Sequence, residues 1–130
     1  MVKSNDDLRQ ECFAMQLLFE FQRIFAMEKL KIKLCPYEVM PLSHNSGIIE
    51  FVPEAITIDE LIKKEGSLKF VRKSSSKLNN FVYSLAGYSL VTYMLQVKDR
   101  HNQNIMIKRD GTIVHIDYGF FLSNMPGKGV

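Results

Sequence analysis

The sequence predicts an α+β domain, and three observations predict it. A stripe of apolar residues recurs at helical spacing between residues 5 and 29. A second stretch, Phe81 to Val97, carries no charged residue and has the length of a core helix. Between and after these lie short apolar runs separated by turn residues, ending in a pair of runs around Asp110-Gly111.

The first helix is predicted over Asn5 to about Lys29, with Leu8, Cys12, Met15 and Phe19 as its stripe and Leu18, Phe21, Ile24 and Phe25 widening it. Ser4 or Asn5 suits the cap, and Asp6 and Asp7 suit the positive end of the helix dipole. Phe13, Phe19, Phe21 and Phe25 are read as core residues. Extended segments follow at 32–40 and 47–52, with Ser43-His44-Asn45-Ser46-Gly47 as the turn between them. Thr57 to Lys64 reads as a short helix with a capping box, Thr57 and Glu60, and Gly66 stops it. Residues 67–77 are polar, and Arg72-Lys73-Ser74-Ser75-Ser76-Lys77 reads as a solvated loop. The core helix then runs from about Leu78 to Val97, where Gly87 implies a close packing neighbour.

The composition restricts function. One core's worth of chain, 130 residues at 46% hydrophobic, argues for one domain or a piece of one. A formal charge of +3 with scattered Lys and Arg argues against a nucleic-acid groove and allows weak attraction to an anionic membrane. Cys12 and Cys35 lie in no metal or redox spacing and read as reduced packing residues. The first residues lack the pattern of a secretory leader. Phe81–Val97 approaches the length of a membrane span, yet Ser84, Gly87, Ser89, Thr92 and Gln96 interrupt it, so a buried helix is the better reading.

The hairpin carries the chemistry. A two-residue Asp110-Gly111 turn would pair Arg109 with Thr112, Ile107 with Val114, Ile105 with Ile116 and Asn104 with Asp117, and would set Met106 opposite His115. Asn104 and Asp117 would then offer one amide oxygen and one carboxylate to a hard cation such as magnesium, with phosphates completing its shell. Hydrogen bonding to nearby backbone is the plainer use of the same two residues. Asp99, Arg100 and His101, a few residues upstream, add an acid, a fixed cation and an imidazole: groups able to accept a hydroxyl proton and to stabilise loop or phosphate charge.

Asp99-Arg100-His101-x-x-Asn104 followed by Ile116-Asp117-Tyr118-Gly119 resembles the catalytic loop and metal motif of the phosphatidylinositol 3/4-kinase superfamily, with the acid and histidine in the order of its lipid-kinase branch. Tyr118 stands where the family usually has Phe. Ala86-Gly87-Tyr88-Ser89-Leu90, Leu95–Asn102 and Gly119–Gly127 are most similar to the type III 4-kinases, the beta form in particular.

The resemblance implies a two-lobed, protein-kinase-like fold, here a partial catalytic domain: 1–50 from the N-lobe, 48–54 the hinge, 55–130 from the C-lobe with the start of the activation loop. It implies that Lys3 contacts the α-phosphate of ATP, that Glu11 and Tyr37 line the inner pocket, that Ile49 guards it, and that the backbone of Glu50 and Val52 binds adenine. Asn104 and Asp117 would hold Mg2+, or Mn2+; His101, assisted by Asp99, would take the hydroxyl proton, and His115 would support the site.

The implied activity is transfer of the ATP γ-phosphate to the inositol 4-hydroxyl of phosphatidylinositol, on the cytoplasmic side of intracellular membranes, the Golgi among them. A phosphate-covering loop before Lys3 and an activation loop beyond Val130 are expected in the family, and the connection from Gly66 to Lys77 is shorter than its family counterpart. Alternatives at this stage are a 3-kinase or related kinase, a catalytically dead kinase-like binding module, and a metal-dependent hydrolase built on Asp99, His101 and Asp117.

Overall fold

The computed structural model describes residues 1–4, 7–120 and 122. Strand β1 (Val2–Ser4) precedes helix α1 (Arg9–Met27). Strands β2 (Val39–Ser43) and β3 (Ser46–Ile49) follow, and β3 is central in an antiparallel sheet of order β1-β3-β2. After residues 50–54 come β4 (Ala55–Thr57), α2 (Ile58–Glu65), a 3-10 turn (Lys69–Lys73) and α3 (Ser75–Met94). The hairpin β5 (Ile105–Lys108) and β6 (Ile113–His115) completes a second antiparallel sheet, β4-β5-β6.

Local chemistry explains most boundaries. The Thr57 side chain accepts from the Glu60 amide and Glu60 accepts from the Thr57 amide, both at 3.1 Å, which is the reciprocal cap expected of that pair. Gly66 closes α2 in the left-handed conformation, with φ 69°. α3 starts earlier than its apolar pattern, because Ser74 caps it by accepting from the Lys77 amide. The basic Ser-rich stretch is therefore a 3-10 turn running into a helix rather than a loop. α1 begins at Arg9, whose amide and guanidinium both bind Asp7; Asn5 and Asp6, two of the residues expected at this start, lie outside the described residues.

Leu8, Ala14, Met15, Leu18 and Phe25 of the α1 region join Leu34, Tyr37, Ile49, Tyr88, Val91, Val114 and Tyr118 in one hydrophobic cluster. This cluster runs through both sheets' surroundings, so the two parts of the chain share a core. Phe25 is buried and Phe21 half-buried as expected, whereas Phe13 and Phe19 are exposed: the buried stripe of α1 passes through residues 11, 14, 15 and 18, and both rings fall off it.

Gly87 has the close neighbour its position implied. A Cβ there would lie 2.3 Å from the Lys33 carbonyl oxygen, and the Lys33 amide donates to the Tyr83 carbonyl at 3.1 Å. α3 thus carries the extended segment that leads to Tyr37. No helix among the described residues is long and apolar enough to cross a membrane.

Candidate nucleotide and phosphoryl-transfer site

A cavity of about 280 Å3 opens where residues 49–52 join the two sheets. Lys3, Glu11, Tyr37, Ile49, Glu50 and Val52 line it, and so do Asn104 and Asp117. Every residue assigned from sequence to the nucleotide or the metal therefore borders one space, although they come from β1, α1, β3, the two linking segments and the hairpin. Met106, on the metal-facing side as the expected hairpin has it, is joined in the apolar wall by Phe51 and by Ile116, which that hairpin would set on the other side.

The hairpin register corrects the expected one. β5 and β6 pair Ile105 with His115, Met106 with Val114 and Ile107 with Ile113, one residue out from the expected ladder. The cause is the turn. The Lys108 amide donates to the Thr112 carbonyl at 2.9 Å, enclosing three loop residues, Arg109 to Gly111. Gly111 alone of these takes positive φ, 91°, while the Asp110 side chain accepts from the Thr112 amide at 2.9 Å. A two-residue type I′ turn would need positive φ twice.

The shift has consequences for each face. Met106 turns toward the cavity beside Ile116, and Ile107 packs on Leu61 and Val71 behind it. His115 stacks on Tyr88 at 4.4 Å, on the opposite face from Met106 and not across from it. Burial holds its imidazole down to about 3, with the Arg100 charge as a lesser cause.

Asn104 is thus not paired with Asp117; its carbonyl accepts from the Ile116 amide at 3.0 Å. Two other devices place both at the cavity. Asp117 has left-handed backbone, φ 60°, which ends the strand and redirects its carboxylate. Arg100 then joins the strands of backbone: its guanidinium donates to the Ile116 carbonyl at 2.8 Å and to the Asp117 carbonyl, its Nε donates to the Lys98 carbonyl at 2.9 Å, and its plane lies over the Tyr118 ring at 5.3 Å. Arg100 holds loop carbonyls. It does not border the cavity, and nor do Asp99 and His101.

The orientation of Asn104 is fixed by acceptors. Its Nδ2 donates to the Asp99 carbonyl at 2.9 Å and lies 3.4 Å from Asp99 Oδ2, which leaves Oδ1 as the atom available to a cation. His101 Nδ1 accepts from the Gln103 amide at 3.2 Å, and its Nε2 lies 3.2 Å from Asn104 Nδ2 and 3.5 Å from Asp99 Oδ1, so the ring sits between the amide and the carboxylate. Asp99 itself has φ 59°, a costly conformation for a residue with a Cβ and one that gathers at functional sites.

On the opposite wall Tyr37 donates to Glu11 Oε1 at 2.5 Å, with both residues buried. Burial first, and then the Glu11 charge, push the Tyr37 hydroxyl far above its usual range. The Glu50 amide is engaged with the Glu38 carbonyl at 2.8 Å and is not available to a ligand. Among the described residues no three His, Cys, Asp or Glu side chains gather as a self-sufficient metal site. One amide oxygen and one carboxylate fit a hard cation that takes its remaining ligands from phosphate and water.

A helix-backed three-stranded sheet, a linking segment that borders a cavity, and an Asp-Arg-His-x-x-Asn loop facing a second Asp make up part of a kinase-type catalytic domain. The family model described as phosphatidylinositol 3- and 4-kinase matches residues 1–78 and 72–129. The chain is 41% identical over 140 residues to a phosphatidylinositol 4-kinase of Dictyostelium discoideum, with 98% of this chain and 12% of that protein covered. It is 44% identical over 139 residues to phosphatidylinositol 4-kinase beta 1 of Arabidopsis thaliana, with 98% and 12% covered. To phosphatidylinositol 4-kinase beta of Sorex araneus it is 43% identical over 138 residues, with 97% and 17% covered. The chain belongs to the phosphatidylinositol 3- and 4-kinase family. It spans between 12% and 17% of the length of these relatives.

Proposed function

We propose that this chain is the nucleotide-binding and catalytic-loop part of a phosphatidylinositol 4-kinase, which moves the γ-phosphate of ATP to the 4-hydroxyl of phosphatidylinositol at an intracellular membrane surface. The observation that carries the reading is convergence: eight residues assigned from sequence, Lys3, Glu11, Tyr37, Ile49, Glu50, Val52, Asn104 and Asp117, border one cavity. The 4-kinase names of the relatives favour that headgroup position over the 3-position.

In this reading adenine lies against residues 49–52, with the Glu50 carbonyl accepting a hydrogen bond and Val52 offering its amide. Lys3 neutralises phosphate charge. Asn104 Oδ1 and the Asp117 carboxylate would hold Mg2+, or Mn2+, which when bound neutralises charge on the transferring phosphoryl group. Asp99 and His101 act on the acceptor hydroxyl as a pair. His101 Nε2 lies 3.5 Å from Asp99 Oδ1, which supports His101 taking the proton with Asp99 assisting it. Arg100 is a positioning residue that keeps Asn104 and Asp117 in reach of one ligand.

The test uses the full-length gene product with ATP, MgCl2 and phosphatidylinositol vesicles, and identifies the product headgroup by chromatography. A 4-phosphorylated lipid that disappears with EDTA, and falls at least about 100-fold in Asp117→Asn, is expected. Nucleotide binding without turnover would assign the protein to a non-catalytic binding role. ADP formation with no lipid product would point to a hydrolase, and a 3-phosphorylated product to the other branch of the family.

A further inference from the structure

A second cavity, about 620 Å3, lies on the Ile107 side of β5, away from the Met106 side that faces the nucleotide cavity. Five cations border it: Lys64 from α2, Lys73 from the 3-10 turn, Lys77 from the start of α3, Lys108 from the end of β5 and Arg109 from the hairpin loop after it. Two carboxylates, Glu54 and Glu65, share the wall. The chain has 17 Lys and Arg against 14 Asp and Glu, so this single concavity holds its whole positive excess and leaves twelve of each sign elsewhere.

The nearest charge influence on any of the five is that between Lys108 and Asp110, which draws the Asp110 carboxyl down as a lesser cause. Among the described residues they make no ion pair and no side-chain hydrogen bond, and Lys77 lies over the Phe70 ring at 5.5 Å. Like charges brought together from four parts of the chain repel one another, an arrangement that a bound anion relieves. Phe70, Leu61 and Ile107 supply an apolar floor beside the cations.

The two family matches overlap at residues 72–78, which hold Lys73 and Lys77. The Dictyostelium alignment runs over 140 residues while covering 98% of a 130-residue chain, so that relative has about a dozen residues with no counterpart here.

We propose that this cavity binds a compact anion bearing several phosphate groups, at a site separate from the nucleotide cavity. One phosphate is too small to meet cations spread around a space of about 620 Å3, whereas phosphates arrayed on a ring-sized body can meet several at once. Glu54 and Glu65 disfavour a continuous anionic sheet and leave a compact ligand preferred.

The ligand is either a soluble polyphosphate or the headgroup of a lipid, and the experiment separates them. Calorimetry titrates the protein, with its nucleotide cavity saturated by an ATP analogue, with inositol hexakisphosphate and with inorganic phosphate. Flotation uses phosphatidylcholine vesicles with and without phosphatidylinositol 4,5-bisphosphate. Expected are saturable hexakisphosphate binding with the analogue present and much weaker binding of inorganic phosphate. Reversing two exposed cations, Lys64→Glu with Lys73→Glu, should weaken hexakisphosphate binding about tenfold or more. The equal charge change at Lys31→Glu with Lys69→Glu, exposed residues outside the cavity wall, should leave it unchanged. The neutral pair Lys73→Gln with Arg109→Gln provides a second reading without charge reversal. Vesicle binding that also depends on Lys64 and Lys73 assigns the lipid as a source; hexakisphosphate binding alone assigns a soluble one. Absence of both, equal loss in both charge-reversed pairs, or competition by the ATP analogue overturns the proposal.

Discussion

Replacing Gly87 by Ala tests how α3 is joined to the rest of the chain, because two effects of opposite sign compete there. In an ordinary helix interior the change stabilises by about 1 kcal/mol, since glycine gives up more backbone freedom on folding. Here the new Cβ would lie 2.3 Å from the Lys33 carbonyl oxygen, 2.9 Å from Ile32 Cγ2 and 3.1 Å from the Lys33 carbonyl carbon. Normal contacts are about 3.5 Å, so the extended segment must retreat by about 1 Å. The nearest atom is backbone, and no rotamer change moves it. The Lys33 amide is also bonded to the Tyr83 carbonyl, one turn earlier on the same helix, so retreat strains that bond. Overpacking of this kind costs about 3 kcal/mol at the upper end of its range. The net is a loss of about 2 kcal/mol, which at about 4 °C per kcal/mol for a chain of this size lowers the melting temperature by about 8 °C. Circular dichroism with heating, and urea titration at constant slope, measure it. An unchanged or raised melting temperature would refute the packing argument.

Two further outcomes follow from the same kind of accounting. Thr57→Ala removes half of the α2 capping box and should cost about 1 kcal/mol, read as a lower urea midpoint with the slope retained. His115 titrates near 6.5 when unfolded and near 3 when buried, so the unfolded chain takes the proton first as pH falls. Its contribution is intact above pH 6.5 and declines from there toward pH 3. His115→Phe keeps an aromatic ring against Tyr88 and removes the titration, so between pH 7 and pH 5 the wild type should lose about 2 kcal/mol more than the variant. Parallel losses would show that another group governs the acid limb.

Much of this protein was legible in local chemistry. The capping box of α2, the glycine that ends it and the turn between β2 and β3 rest on side chain to backbone bonds within a few residues, so adjacent sequence specifies them. The Asp-Arg-His-x-x-Asn loop and the following Asp stand out for a different reason: the proposed phosphoryl transfer needs those residue types at a short spacing. The hairpin register was not readable, because Asp110-Gly111 serves both a two-residue and a three-residue loop. The choice rests on the Asp110 bond to Thr112 and on the Lys77 carbonyl, which a Cβ at Gly111 would approach to 2.4 Å. The exposure of Phe13 and Phe19 depended likewise on which side of α1 meets the sheet.

Sequence alone determined which side chains carry the proposed chemistry, since that chemistry belongs to residue types and survives a register error. Tertiary structure decided how Asn104 and Asp117 reach one cavity: a left-handed Asp117 and an Arg100 fork across loop carbonyls do what strand pairing was expected to do. It also gathered Lys64, Lys73, Lys77, Lys108 and Arg109, scattered along the chain, into one basic concavity. The physical reason is range: caps and turns are fixed by bonds between near neighbours, whereas a field is the sum over charges that only the folded path of the chain brings together.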